Sequence, residues 1–264
     1  MKQVSSFISH INFTTKYLSL GGRCPPYDRN VPRPPATVLD LLRVPTTGPE
    51  DSYLPSLERA KTAKLQAYEE FKLTIGEGTG LPDLMHLALY TLPLLEPSLA
   101  TGLFALTRVL RPAGNHLVRL SVNGLHEGAL AADWAAVFRT LTVLEEIELD
   151  GRESSAAFWL GLEAASGESE TTIAGDRSPP TCPRLRSVVY DPTSEMDEAT
   201  LVAAVRCLEY REMRGAAALE KLGMAYHPYG EPELVAEFVM LTERYIPRLR
   251  ELVKGRVSLD REDW

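Results

Sequence analysis

At 264 residues, with 44% hydrophobic and 24% charged side chains, the chain has the composition of an ordinary folded protein, which excludes a disordered one and allows a sizeable core. A formal net charge of -8 argues against a nucleic-acid binder, which presents a basic surface to phosphates, and favours a protein or peptide partner, a basic one above all. There is no run of about 18 uninterrupted apolar residues to span a membrane, residues 1–20 lack the apolar segment of a signal peptide, and Cys24, Cys182 and Cys207 form no C-x-x-C pair, so the expected compartment is the cytoplasm or nucleus with reduced thiols.

In chain order, Tyr17-Leu18-Ser19-Leu20 reads as a strand with a turn after it at Gly21-Gly22. From Gly21 to Pro55 come eight prolines (25, 26, 32, 34, 35, 45, 49 and 55), too many for regular helix or internal strand. Residues 56–68 then read as a helix, and Phe71 to Ile75 alternates as a strand before Gly76-Glu77-Gly78-Thr79-Gly80 breaks it.

Beyond this point one pattern recurs. Leu144-Glu145-Glu146-Ile147-Glu148-Leu149 is an L-x-x-L-x-L register that also appears at Leu84/Leu87/Leu89, Leu117/Leu120/Val122, Leu185/Val188/Tyr190 and Leu219/Leu222/Met224, and in degraded form at Leu249/Leu252/Lys254. The last two apolar positions of each copy are two apart and so share one face of a strand. Between copies lie helical stripes: Leu99/Leu103/Leu106/Leu110, Leu130/Trp134/Val137/Leu141, a short helix around Phe158 to Leu162, Leu201/Val205/Leu208 opening after Asp197 as N-cap, and Leu234/Phe238/Leu241/Tyr245. Trp134 and Trp159 fall on these stripes and are expected in the core. The step from Leu144 to Leu185 is the longest and holds an expected surface insertion at residues 163–183.

The fold these observations predict is α/β, a leucine-rich-repeat-like solenoid (a horseshoe) with parallel strands, all of them parallel over residues 82–257, and with irregular, long repeats. Residues 1–64 supply an N-terminal strand, Pro-rich loop and helix packed on the array. Residues 65–257 form the repeats, and residues 258–264 a C-terminal tail.

Four segments carry a family resemblance: residues 81–89 (LPDLMHLAL), 116–122 (HLVRLSV), 141–149 (LTVLEEIEL) and 182–188 (CPRLRSV). Together they resemble the divergent leucine-rich repeat region of fungal F-box proteins. The resemblance implies a ubiquitin-ligase subunit in which an F-box docks on an adaptor while the repeats recognise the substrate. The F-box helix motif, Leu-Pro-x-Glu-[Ile/Leu], is not found in this chain, so adaptor binding is expected only if an F-box lies upstream.

Chemistry-bearing patterns are sparse. Gly76-x-Gly78-x-Gly80 has no following Gly-Lys-Ser and no helix to hold a phosphate. The five histidines show no metal-binding spacing, so no metal and no cofactor are expected, and no nucleophile elbow occurs. The chain is read as a non-enzyme. The alternative is a hydrolase using the acidic strand face, where Glu146 and Glu148 share one side of a strand, the kind of carboxylate pair a glycosidase requires.

If one strand face is buried, the other can be read off position by position, and it is the expected partner-binding surface. Its candidate residues are Tyr90, Arg119, Asn123, Glu146, Glu148, Asp150, Val189, Asp191 and Lys221. Tyr90 and Val189 supply apolar anchors beside charges, and the carboxylates are expected to sum into a negative strip flanked by Arg119 and Lys221, suited to a basic segment.

Overall fold

A computed structural model describes residues 18–23, 59–67, 70–78, 83–90, 99–110, 116–124, 129–150, 155–167, 180–190, 197–224 and 232–258. Its strands are β1 (Leu18–Arg23), β2 (Thr62–Ala67), β3 (Glu70–Gly76), β4 (Asp83–Tyr90), β5 (Arg119–Gly124), β6 (Glu146–Asp150), β7 (Ser187–Tyr190), β8 (Lys221–Met224) and β9 (Arg256–Ser258). Its helices are α1 (Leu99–Leu110), α2 (Ala131–Thr140), α3 (Ala156–Gly167), α4 (Glu198–Met213) and α5 (Pro232–Leu252). The molecule is an α/β protein with one mostly parallel sheet, ordered β1-β4-β3-β2-β5-β6-β7-β8-β9.

From β5 to β9 the strands follow one another in space as in sequence, each pairing in parallel with the next. Leu120 stands opposite Ile147, and Val122 opposite Leu149, the parallel register expected from the recurring leucines. A parallel neighbour can be reached only by a crossover, here a helix, and crossovers of one hand place successive helices on one side of the sheet. Burial agrees with this. Leu120, Val122, Ile147, Leu149, Val188, Tyr190, Leu222 and Met224 point into the core, none more than 2% exposed, whereas Arg119, Glu148 and Lys221 on the opposite face are exposed.

The helices bury the residues their spacing selects. Leu99, Leu103 and Leu106 of α1, Trp134, Val137 and Phe138 of α2, and Leu201 and Leu208 of α4 all lie in the core. Asp197 caps α4 by accepting a bond from the Thr200 amide at 2.8 Å, which satisfies one of the free amides of the first turn. At the centre, the Phe158 ring meets Trp134, Phe138, Trp159 and Tyr190 edge-on, at centroid distances of 5.2, 5.4, 5.0 and 6.4 Å. Gly161 lets α2 and α3 approach this closely, because a Cβ there would overlap the Trp134 Cβ and lie 2.7 Å from the Ala131 carbonyl oxygen.

Several expectations need correction. Residues 62–67 form a strand where a helix was expected: Ala63 and Leu65 are buried while Lys64 is exposed, so period two outweighs the helix propensity of Ala, Lys and Gln. Residues 56–58 lie outside the described residues, as does the Pro-rich stretch beyond Arg23, residues 24–55. β3 pairs antiparallel with β2 and with β4, so within the repeats expected from residue 65 one strand runs against the rest, although it lies before residues 82–257, where all strands were expected parallel; short connections such as 68–69 cannot carry a parallel crossover. Gly21-Gly22 continues β1, which pairs with β4 through Arg23, and is not a turn.

Further along, Leu130 is 66% exposed because it stands at the extended cap position before α2, not on its buried stripe. Leu249 and Leu252 belong to the end of α5, and the last strand is Arg256–Ser258; a spacing of three suits a helix face as well as it suits the repeat register. β9 therefore includes Ser258, one residue into the expected tail. The expected insertion at 163–183 is also too wide. Residues 163–167 complete α3, and residues 180–183 are described, with Pro180 and Cys182 buried and Pro183 exposed.

That return is held by Arg211 of α4, which is only 2% exposed and donates to the carbonyl oxygens of Thr181 at 2.9 Å and Cys182 at 3.0 Å. The Cys182 thiol donates in turn to the Leu141 carbonyl oxygen at 3.1 Å. Burial pushes the thiols of Cys182 and Cys207 up to about 12 from an ordinary 9.0. The thiol form is the one the fold favours, so its contribution is fully present below the unfolded value and is lost as pH rises from 9.0 towards about 12. Neither thiol is expected to react with an alkylating reagent in the folded chain at neutral pH. Peptide mass mapping after alkylation, which separates these two from Cys24, checks this: both should label only in denaturant, and labelling of either without denaturant would contradict their placement.

Candidate binding surface

The outward face of β5 to β9 is built by register. One row runs Arg119, Glu146, Ser187, Lys221 and Arg256, and the next runs Ser121, Glu148, Val189, Gly223 and Ser258. A third places Asn123 beside Asp150. Because β2 pairs with β5, Lys64 extends the second row past Ser121, and Gln66 extends the third past Asn123. Rows of this kind bring side chains within direct reach, since neighbouring strands are about 4.8 Å apart.

The first row and the residues just before it carry a ladder of ion pairs. Arg119 Nε lies 2.7 Å from Glu146 Oε2. Arg186, one residue before β7, places Nη2 3.0 Å from Glu145 Oε2 and 3.4 Å from Glu146 Oε1, with Nη1 4.0 Å from Glu220 Oε2. All these side chains are partly open to solvent, so each pair contributes only about 0–1 kcal/mol to stability. Their consequence is electrostatic: Glu146 sits between two guanidinium groups and adds little to a negative strip, which corrects the expectation that it would. Asp150 accepts a hydrogen bond from Asn123 Nδ2.

Glu148 differs from its neighbours. It is exposed, it has no hydrogen-bond or ion-pair partner among the described residues, and it stands between the short side chains of Ser121 and Val189. Nothing tall shields it along its row until Lys64, two strand spacings or about 10 Å away. The face is thus a mixed one, with acids on β6 and bases on either side: Lys64 and Arg119, then Lys221 and Arg256.

The structure gathers Arg119, Asn123, Glu146, Glu148, Asp150, Val189 and Lys221 on this face. Tyr90 is placed apart from them. It ends β4, opposite Glu70 of β3, and the β2–β3 pair lies between β4 and β5, so Tyr90 is about 19 Å from the carboxylates of β6 by strand spacing. Asp191 lies outside the described residues. Lys64, Glu145, Arg186, Glu220 and Arg256 escaped the sequence reading. Lys64 was assigned to a helix, while Arg186 and Glu220 precede their strands; aligning the repeats one residue earlier, as Glu145, Arg186 and Glu220, would have found the ladder.

Among the described residues no group of three or more His, Cys, Asp or Glu side chains could hold a metal ion, and no helix is long and apolar enough to cross a membrane. No family model matches the chain, and no curated protein or solved structure matches it.

Proposed function

We propose that this chain is a protein-interaction module of leucine-rich-repeat-like solenoid form, whose outward sheet face binds a protein or peptide partner with a basic segment. One observation carries the reading: the sheet is sealed by apolar side chains on one face, while the other presents charged side chains in register around Glu148, which has no ion-pair partner among the described residues. An extended polar face of this kind suits recognition of another chain. The resemblance to the repeats of fungal F-box proteins deepens the proposal to substrate recruitment in a ubiquitin ligase. That role requires an F-box, and translating the coding sequence upstream of Met1 tests for one.

A hydrolase on the same face has less support. Glu146 is engaged by Arg119 and Arg186, and its strand-mate Glu148 stands on an open face rather than across a pocket, where a glycosidase pair flanks the scissile bond.

Charge reversal tests the reading. Glu148→Lys is expected to reduce capture of the partner several-fold at low salt, through slower association, with the melting temperature nearly unchanged; the gap from the wild type should narrow as salt screens the attraction. Quantitative co-purification from the source cells at two salt concentrations measures it. Equal capture of every partner by both proteins at both salts would remove Glu148 from the mechanism.

A further inference from the structure

Residues 168–179 separate the end of α3 from the approach to β7, and the two flanks of that segment are fastened to each other and to α4. Thr181 makes the fastening. Its amide donates to Ser166 Oγ at 3.1 Å and its hydroxyl to the Ala165 carbonyl oxygen at 2.8 Å, while its own carbonyl oxygen accepts from Arg211 Nη1 at 2.9 Å. The amide, hydroxyl and carbonyl of Thr181 are thus all engaged by α3 or α4. Beside it, Arg211 Nη2 donates to the Cys182 carbonyl oxygen at 3.0 Å, and the Cys182 thiol donates to the Leu141 carbonyl oxygen at 3.1 Å, at the end of α2. The Tyr210 hydroxyl donates to the Ser166 carbonyl oxygen at 3.4 Å. Ser166 and Arg211 are only 8% and 2% exposed, so water competes little for these bonds.

The backbone carries the mark of this hold. Among the described residues Cys182 is the one non-glycine of positive φ, at 48°, a conformation that an L side chain keeps only where its surroundings impose it. Here α2, α3 and α4 impose it together, through bonds between residues 15 to 41 apart in sequence. The helices therefore set the position of residues 181–182, and the chain leading into them does not. The parts on either side of the segment are joined elsewhere too: β6 pairs with β7, the Phe158 ring meets Tyr190, the Ser155 amide donates to Thr200 Oγ1 at 3.1 Å, and Glu163 accepts from Arg206 Nε at 3.0 Å.

We propose that Ser166, Thr181 and Arg211 form a clamp that makes the fold independent of an unbroken chain through residues 168–179. A longer segment changes only a loop entropy that grows slowly with length. A cut within it leaves both flanks bonded at the clamp, so the sheet and its outward face stand as before.

The full chain carrying a site-specific protease sequence in place of residues 170–175, before and after cutting, tests this by size-exclusion chromatography and by hydrogen exchange at the Thr181 amide. Both fragments are expected to elute together at the volume of the uncut chain, with the melting temperature lowered by only a few degrees and the Thr181 amide as protected from exchange as before. Ser166→Ala, which removes the acceptor of that amide, should speed its exchange in the cut and uncut protein alike. Separation of the fragments, or a Thr181 amide that exchanges freely once the chain is cut, would overturn the proposal. So would a Thr181 amide indifferent to Ser166→Ala, or an uncut chain that fails to fold with the new sequence in place.

Discussion

Phe158→Ala is expected to lower the unfolding free energy by about 3–5 kcal/mol, the range for removing a large buried aromatic side chain. The residue is fully buried, and its ring is the hub on which Trp134, Phe138, Trp159 and Tyr190 converge from α2, α3 and β7. Its loss removes edge-on aromatic contacts worth about 0.5–1.5 kcal/mol per pair beyond burial. The backbone of α2 and α3 is already in contact at Gly161 and has little room to close the cavity. Chemical denaturation followed by tryptophan fluorescence measures the change. A loss below about 1 kcal/mol, typical of surface positions, would mean that the cluster is not the centre of the core.

Leu149→Ala should cost about 2–5 kcal/mol, while its neighbour Glu148→Ala should change stability by about 0.5 kcal/mol or less. The contrast tests the face assignment, because strand side chains alternate and a slip of one residue exchanges the two faces. Leu149 is 0% exposed, on the helix side of β6 between Val122 and Tyr190. Glu148, one residue before it, makes no contact whose loss would weaken the core. If thermal melts ranked the two variants the other way round, the inner and outer faces would be exchanged on every strand from β5 to β8.

Much of this architecture was legible because each strand from β5 to β8 repeats one local code. Two apolar residues spaced by two, as in Leu120/Val122 and Ile147/Leu149, suffice to set strand and face together, and Asp197 marked a helix start by its own capping chemistry. What failed was either ambiguous locally or decided at a distance. Ala63, Lys64, Gln66 and Ala67 are good helix formers, and only the pairing of their strand with β3 and β5 holds them extended. The insertion of that hairpin between β4 and β5 left no mark in the leucine spacing, so Tyr90 was placed too near the acids. Arg186 went unnoticed because its role depends on the parallel register that sets it beside Glu145 and Glu146.

The central claim, that partners dock on the outward sheet face, is tested most directly by site-specific photo-crosslinking in the source cells. A photoreactive residue introduced at Glu148 samples the sheet face. A second, at Val202, which is 46% exposed on α4, samples the helical side. The account predicts a discrete crosslinked partner from position 148 and none from position 202. A partner trapped from position 202 alone would contradict it and move the binding surface to the helices.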